Sequence, residues 1–278
     1  MKLIITALSP LFPKGFYVQW SITKGPTTPP ITFDVYRSGG MEGPWEPIAS
    51  GLTDQYAFVD DFTKTIKKTD DSRIRPNQLN QFRDFCYRIV AKDSGGEVAE
   101  AIDNSSPLSF GSIIDKKMLQ IQRAAVLNFR RSLRFNGTEA VILKRRHWGT
   151  RCVCVDKGTK EALRSGCTKC WGTGITDGYW APVVTAARKA PSSNSSAITP
   201  ENKSDSNDIH FWLPDIPALE QDDVIVFLRE NSRWRIDTVA QTQIRLQDTH
   251  QVVSGQAIDK SSIIYRIPVR LNQTKALF

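Results

Sequence analysis

The spacing of apolar side chains changes its period along this chain, and each change announces a different kind of element. Over the first 110 residues the period is two. Phe16-Tyr17-Val18-Gln19-Trp20-Ser21-Ile22 and Ile31-Thr32-Phe33-Asp34-Val35-Tyr36-Arg37 alternate bulky and polar positions, as half-buried strands do. Phe85-Cys86-Tyr87-Arg88-Ile89-Val90-Ala91 puts Phe85, Tyr87, Ile89 and Ala91 on one face and leaves Cys86 out of phase, a plain strand residue. Further short strands follow the turns Gly43-Pro44 (Trp45 to Ala49) and Gly95-Gly96 (Glu97 to Ala101). Met1 to Leu8 reads as a first strand: its apolar run stops at Pro10 with no small-residue cleavage site, unlike a signal peptide. Strands at this spacing predict an antiparallel β-sandwich, and the polar stretch from Phe62 to Gln81 reads as an extended loop.

From Ser112 the period lengthens. Ile114, Met118, Ile121, Ala125, Phe129 and Leu133 form one stripe of a helix, with Ser112 as its N-cap and Asn136-Gly137 as its stop. Such a helix runs about 22 residues, or about 33 Å. Glu139 to Arg146 then reads as a strand leading into His147-Trp148-Gly149. Residues 190–207 are rich in Ser, Asn, Pro and Lys and bury too little to order themselves, so a flexible loop is expected there. Strands return at Asp208–Leu213, Asp223–Leu228, Trp234–Val239, Gln243–Leu246 and Ser262–Val269, the pattern of a small β-barrel or meander. The expected organisation is a mainly β, multi-domain chain. It comprises a sandwich over 1–110, an amphipathic basic helix over 111–136, a metal-binding segment over 137–189, a polar flexible loop over 190–207 and a small β-barrel over 208–278.

Composition changes this picture little: 40% hydrophobic and 24% charged residues provide for a real core. No apolar run approaches the length of a membrane helix, so no membrane partner is expected and the cysteines are expected to stay reduced in a cytoplasm. Charge changes it more. Residues 111–151 carry ten basic and two acidic side chains, which equals the whole chain's net charge of +8. Lys144, Arg145, Arg146 and Arg151, with Arg130, Arg131 and Arg134 on the helix, are therefore candidate contacts for an anion such as nucleic acid. A solvated helix face explains the same charges without a ligand.

The chemistry is concentrated in five cysteines, four of them clustered. Cys152-Val153-Cys154 is followed, after twelve residues, by Cys167-Thr168-Lys169-Cys170. Two close thiol pairs on a short hairpin each supply one edge of a tetrahedron, the arrangement Zn2+ prefers, with sulfurs about 2.3 Å from the metal. Lys157, Lys160, Arg164 and Lys169 partly offset the negative charge of four thiolates. Four thiolates leave no position for water, so the centre is expected to be structural, contributing on the order of 10–16 kcal/mol to folding. Free regulatory thiols and disulfides are the alternatives. His147, His210 and His250 lack motif partners, and no nucleophile elbow, phosphate loop or paired-carboxylate motif occurs, so no enzymatic activity is expected.

Particular residues also carry family resemblances. Trp20, the run Phe33 to Arg37, the step Gly43-Pro44-Trp45 and the run Tyr87 to Ala91 resemble a fibronectin type III domain across residues 1–110. That implies an adhesion or assembly module. Cys167-Thr168-Lys169-Cys170-Trp171-Gly172-Thr173-Gly174 is similar to one unit of the DnaJ-type chaperone zinc domain, which uses several. A fuller likeness is to virion proteins of tailed bacteriophages. It is carried by Trp148-Gly149, Cys152, Cys154, Asp156, Thr159, Ser165, Cys167, Cys170, Gly172-Thr173-Gly174 and Gly178-Tyr179. Residues 208–270 resemble small β-barrel neck and tail-joining proteins of such phages. These resemblances imply a neck or head–tail connector ring protein, assembled in the host cytoplasm and located in the virion. Its partners would be copies of itself, other neck or tail proteins and, as a further candidate, DNA. The alternatives are a tail or baseplate structural protein and a zinc-dependent nucleic-acid-binding protein using the basic 116–151 segment.

Overall fold

The computed structural model of the chain describes residues 1–11, 15–24, 28–61, 85–104, 116–155, 166–190, 208–244, 247–269 and 275–276. The expected loop over 62–81, the N-cap Ser112 and nearly all of the expected loop over 190–207 lie outside the described residues.

Alternation builds the first module as expected. Its strands are β1 (Lys2–Leu11), β2 (Gly15–Lys24), β3 (Thr32–Ser38), β4 (Glu46–Thr53), β5 (Ala57–Asp60), β6 (Cys86–Lys92) and β7 (Val98–Asn104). They form two sheets, ordered β1-β2-β5 and β4-β3-β6-β7, with every pairing antiparallel. Val18, Trp20 and Ile22 from one sheet meet Phe33, Val35, Tyr87, Ile89 and Ala91 from the other in a single buried cluster. The other face of β6 is covered as well, so Cys86 is buried too. On the core side of the same strand Arg37 Nη1 donates to Asp60 at 2.6 Å, and the Tyr87 hydroxyl donates to the same carboxylate at 2.9 Å.

The helix α1 (Lys116–Asn136) ends where Asn136-Gly137 predicts, with the Gly137 N–H donating to the Leu133 carbonyl at 2.8 Å. Its docked line is Val126, Phe129 and Leu133, and Phe129 stacks on His250 with ring centroids 4.2 Å apart. The expected stripe is therefore half right: Leu133 is buried, while Ile121 is 55% exposed.

The remaining strands are β8 (Thr138–Leu143), β9 (Val183–Lys189), β10 (Asp208–Pro214), β11 (Val224–Phe227), β12 (Ser232–Ile244), β13 (Gln247–Ala257) and β14 (Lys275–Ala276). The order β10-β13-β12-β11-β8-β9 returns to β10 through Phe211↔Lys189 and Trp212↔Arg188, closing a six-stranded antiparallel barrel, with β14 added parallel to β9. The barrel is thus not confined to residues 208–278. Two of its strands, β8 and β9, come from the segment expected to be purely metal-binding. They belong there because Ala140, Ile142 and Ala187 fill the barrel interior with Phe211, Leu213, Ile225 and Phe227. Residues 144–182, which hold the clustered cysteines, are an excursion between two neighbouring barrel strands.

One further expectation changes. Ser262–Val269 is not a strand: Ile263–Arg266 forms a 3-10 helix capped by the Ser262 hydroxyl. The Arg233 guanidinium donates to the carbonyls of Ile264 and Ile267, bonds that an edge strand there would forgo. In its place β13 is the long partner of β12.

Candidate metal centre

The excursion leaves the barrel as a narrow two-limbed ladder. Trp180 N–H donates to Lys144 O at 2.8 Å, Arg146 N–H to Gly178 O at 3.0 Å, Thr176 N–H to Thr150 O at 2.9 Å and Cys152 N–H to Gly174 O at 2.9 Å. These bonds run in sequence from the barrel to the thiols. Beyond them the chain turns tightly at each cysteine pair: Trp171 N–H donates to Cys167 O, Thr173 N–H to Cys170 O and Val155 N–H to Cys152 O. Such turns need left-handed backbone, supplied by Gly172 and Gly174 at φ of 84° and 80°. Gly178 is needed for a different reason: a Cβ there would lie 2.4 Å from the Cys170 carbonyl oxygen.

This framework brings together all four cysteines expected as ligands. The sulfurs of Cys152, Cys154, Cys167 and Cys170 lie within 4.8 Å of one another, with Cys152–Cys167 at 3.8 Å and Cys154–Cys170 at 3.3 Å. A tetrahedron with bonds of about 2.3 Å has edges of about 3.8 Å, so one ion fits among them with small adjustments. The backbone is charged for the task as well. N–H groups of Lys169 and Cys170 point at the Cys167 sulfur and lower its pKa to about 6, favouring the thiolate a metal binds. The Cys154 thiol, bonded to Cys170 and partly desolvated, is pushed up. A cation among the four sulfurs removes that conflict by stabilising every thiolate at once. The donor set therefore fits a metal ion, with no coordination position left over.

The ladder also carries the contact between the modules. Trp148 and Trp180 leave its two limbs and enter the open end of the sandwich core. Trp148 lies 5.3 Å from Phe33 and 4.8 Å from Trp180, and Trp180 lies 5.3 Å from Tyr56. The Arg146 guanidinium stacks 4.1 Å over Trp180 and pairs with Asp54 of the sandwich. A second seam is wholly buried: Gln19 Nε2 donates to Ala218 O at 3.0 Å, and Ala218 N–H donates back to Gln19 Oε1 at 3.1 Å.

The basic residues divide sharply. Lys144 is buried, its ammonium 3.3 Å from Asp223 and 3.2 Å from Glu220. Arg145 pairs with Asp222 and gives its N–H to Asp223, and Arg130 pairs with buried Asp215 at 2.8 Å. With Arg146 on Asp54, the strand expected to face an anion has its cations neutralised from within. The segment tally of charge missed this because the acids lie far away in sequence. Asp223 is the hub: burial pushes its pKa up, and Lys144 with the N–H groups of Glu220 and Arg145 holds against that. Arg131, Arg134 and Arg151 are exposed. His147 contacts Glu220 at 3.6 Å and takes no part in the thiol cluster.

Sequence reasoning singled out the cysteines but missed Trp180, Gln19 and Asp54, whose partners are fixed only by the meeting of modules, and Asp223, whose partners are fixed by the pairing of β8 with β11. No helix among the described residues is long and apolar enough to cross a membrane. No family model matches the chain, and no curated protein matches it. Among solved structures, pectate lyase Pel3 from Pectobacterium carotovorum is similar at 19% identity and a TM-score of 0.25, over 40% of this chain and 28% of the lyase. The chain thus spans little more than a quarter of that enzyme. An Fn3-like protein from Clostridium thermocellum is similar at 16% identity and a TM-score of 0.23, over 36% of this chain and 86% of that one. At that level of likeness, what marks this chain is its own geometry: four thiols at metal-ligand spacing, on a ladder that plugs one β module into another.

Proposed function

We propose that this chain is a non-catalytic assembly protein whose sandwich and barrel are locked together by a four-thiolate zinc centre. The observation that carries this reading is the position of the thiols. They close the far end of the same ladder whose tryptophans fill the end of the sandwich core. A metal there stiffens the ladder and, through it, the angle between two modules. Zinc suits the site because four soft donors in a tetrahedron match its preferred coordination, and a saturated shell has no place for substrate.

We further propose that the assembly is a tailed-phage particle and that the protein forms a ring in its neck or head–tail connector. The support is the resemblance of the cysteine segment and of residues 208–270 to phage virion proteins. A rigid pair of β modules with a saturated metal centre suits a part that must hold a fixed shape under load. The test is isolation of the full chain with its metal content measured, followed by sizing and by binding to purified virion proteins. One zinc per chain, a closed oligomer and binding to neck proteins are expected. A monomer that binds no virion protein contradicts the particle reading, and a chain that binds no zinc contradicts the zinc reading.

A further inference from the structure

We infer that the four clustered thiols are also a redox device. A peroxide oxidant joins Cys152 to Cys167 and Cys154 to Cys170, and the two disulfides then hold the ladder closed in place of the metal. The inference concerns the regulation of the proposed zinc centre and rests on that reading for its starting state.

The pairing follows from where the sulfurs lie. Cys152 ends one limb of the ladder, with Cys154 just beyond it, and Cys167 and Cys170 lead into the other limb at Gly174. Cys154 Sγ lies 3.3 Å from Cys170 Sγ, and Cys152 Sγ lies 3.8 Å from Cys167 Sγ, so each limb presents its thiols to the other. Disulfides between these neighbours continue the last rung of the ladder, the bond from Cys152 N–H to Gly174 O. A Cys152–Cys154 or Cys167–Cys170 bond would instead leave the limbs unjoined. The cross-limb bonds span 15 and 16 positions along the chain, loops long enough to restrict the unfolded ensemble appreciably.

Exposure sets the order of events. Cys154 and Cys167 are partly exposed, whereas Cys152 and Cys170 are buried. Each cross-limb pair therefore joins a thiol that a small oxidant reaches to one that it does not. With hydrogen peroxide, the exposed thiolate attacks one peroxide oxygen: an S–O bond forms, the O–O bond breaks and hydroxide leaves. The buried partner thiolate then attacks that sulfur, so that S–S forms, S–O breaks and a second hydroxide leaves. Each pair gives two electrons to one peroxide. With all four thiolate charges gone, the metal ion is released. Cys86, buried in the sandwich, lies outside the cluster and keeps its thiol. Such a device suits a part assembled in a reducing cytoplasm and then carried into oxidising surroundings, where thiols pair and disulfides persist.

The test treats the zinc-loaded full chain with hydrogen peroxide in the presence of a zinc-sensitive chelating dye. About two peroxides should be consumed per ion released. Peptide maps made without reduction should link Cys152 to Cys167 and Cys154 to Cys170. The oxidised, metal-free chain should melt in one transition, and adding a phosphine reductant with chelator should split it into two. Any other pairing, sulfinic acids in place of disulfides, zinc retained against excess peroxide, or two transitions after oxidation overturns the inference and leaves the zinc reading standing. A chain that binds no zinc overturns the zinc reading instead. The same maps on that metal-free chain then decide the pairing by themselves: bridges between the limbs uphold it, and bridges within a limb overturn it.

Discussion

Cys167 and Gly178 show how much of the candidate metal centre rests on single residues. Cys167→Ser removes the thiol most ready to ionise and is expected to drop metal content from one per chain to near zero, read by elemental analysis. Gly178→Ala leaves all four sulfurs in place but drives a methyl group against the Cys170 carbonyl, so it too should lose metal. Intact metal binding in Gly178→Ala would show that the turn is more pliant than its contacts imply. Asp223→Ala acts on the charge hub instead. It leaves the Lys144 ammonium with Glu220 alone and two N–H groups buried without their acceptor, at a cost of about 3–5 kcal/mol, read from urea unfolding. The cysteines were legible in the sequence because ligand chemistry imposes spacing. Asp223 was not: its partner Lys144 lies 79 residues away, and nothing in local periodicity encodes such a pair.

Among elements, β13 and α1 mark where pattern reading succeeds and fails. The alternation in β13 is one of burial and not of hydropathy: Thr249 and Gln251 point inward with Val253. Gln251 is tolerated there because Nε2 donates to the carbonyls of Pro214 and Pro217 while Oε1 accepts from the Leu219 N–H. A polar strand whose partners come from a distant loop has no signature a hydropathy period can find. Helix α1 was legible in type and in its stop, but the docked line depends on His250, which only the fold brings beneath Phe129. Burial holds the His250 pKa below its ordinary value, so the folded state favours neutral imidazole. Its contribution is complete above about pH 6.5 and is lost as pH falls through the lowered folded-state value. The thermal midpoint of the native chain should therefore fall more between pH 7.5 and 5.5 than that of His250→Phe, which keeps the stacking without the proton. Equal falls would remove His250 from the account.

At the scale of the whole molecule, the architecture depends on one detour in the chain. The sandwich, the helix and a barrel were legible as classes of element. The boundary between metal segment and barrel was not, because β8 and β9 are separated by the excursion, and the β9–β10 closure is only two residue pairs long. The same detour places Trp148 and Trp180 inside the sandwich core, so the thiol-bearing ladder and the module interface are one structure. Trp148→Ala is expected to cost about 3–5 kcal/mol by urea unfolding and to loosen the modules without removing the thiols. The central claim, that the metal locks sandwich to barrel, is tested most directly by calorimetric melting of the full chain before and after chelation. The metal-loaded protein should melt in one transition, and the chelated protein in two separate transitions at lower temperature. A chelated protein that still melts once, at the same temperature as the loaded one, would contradict the claim.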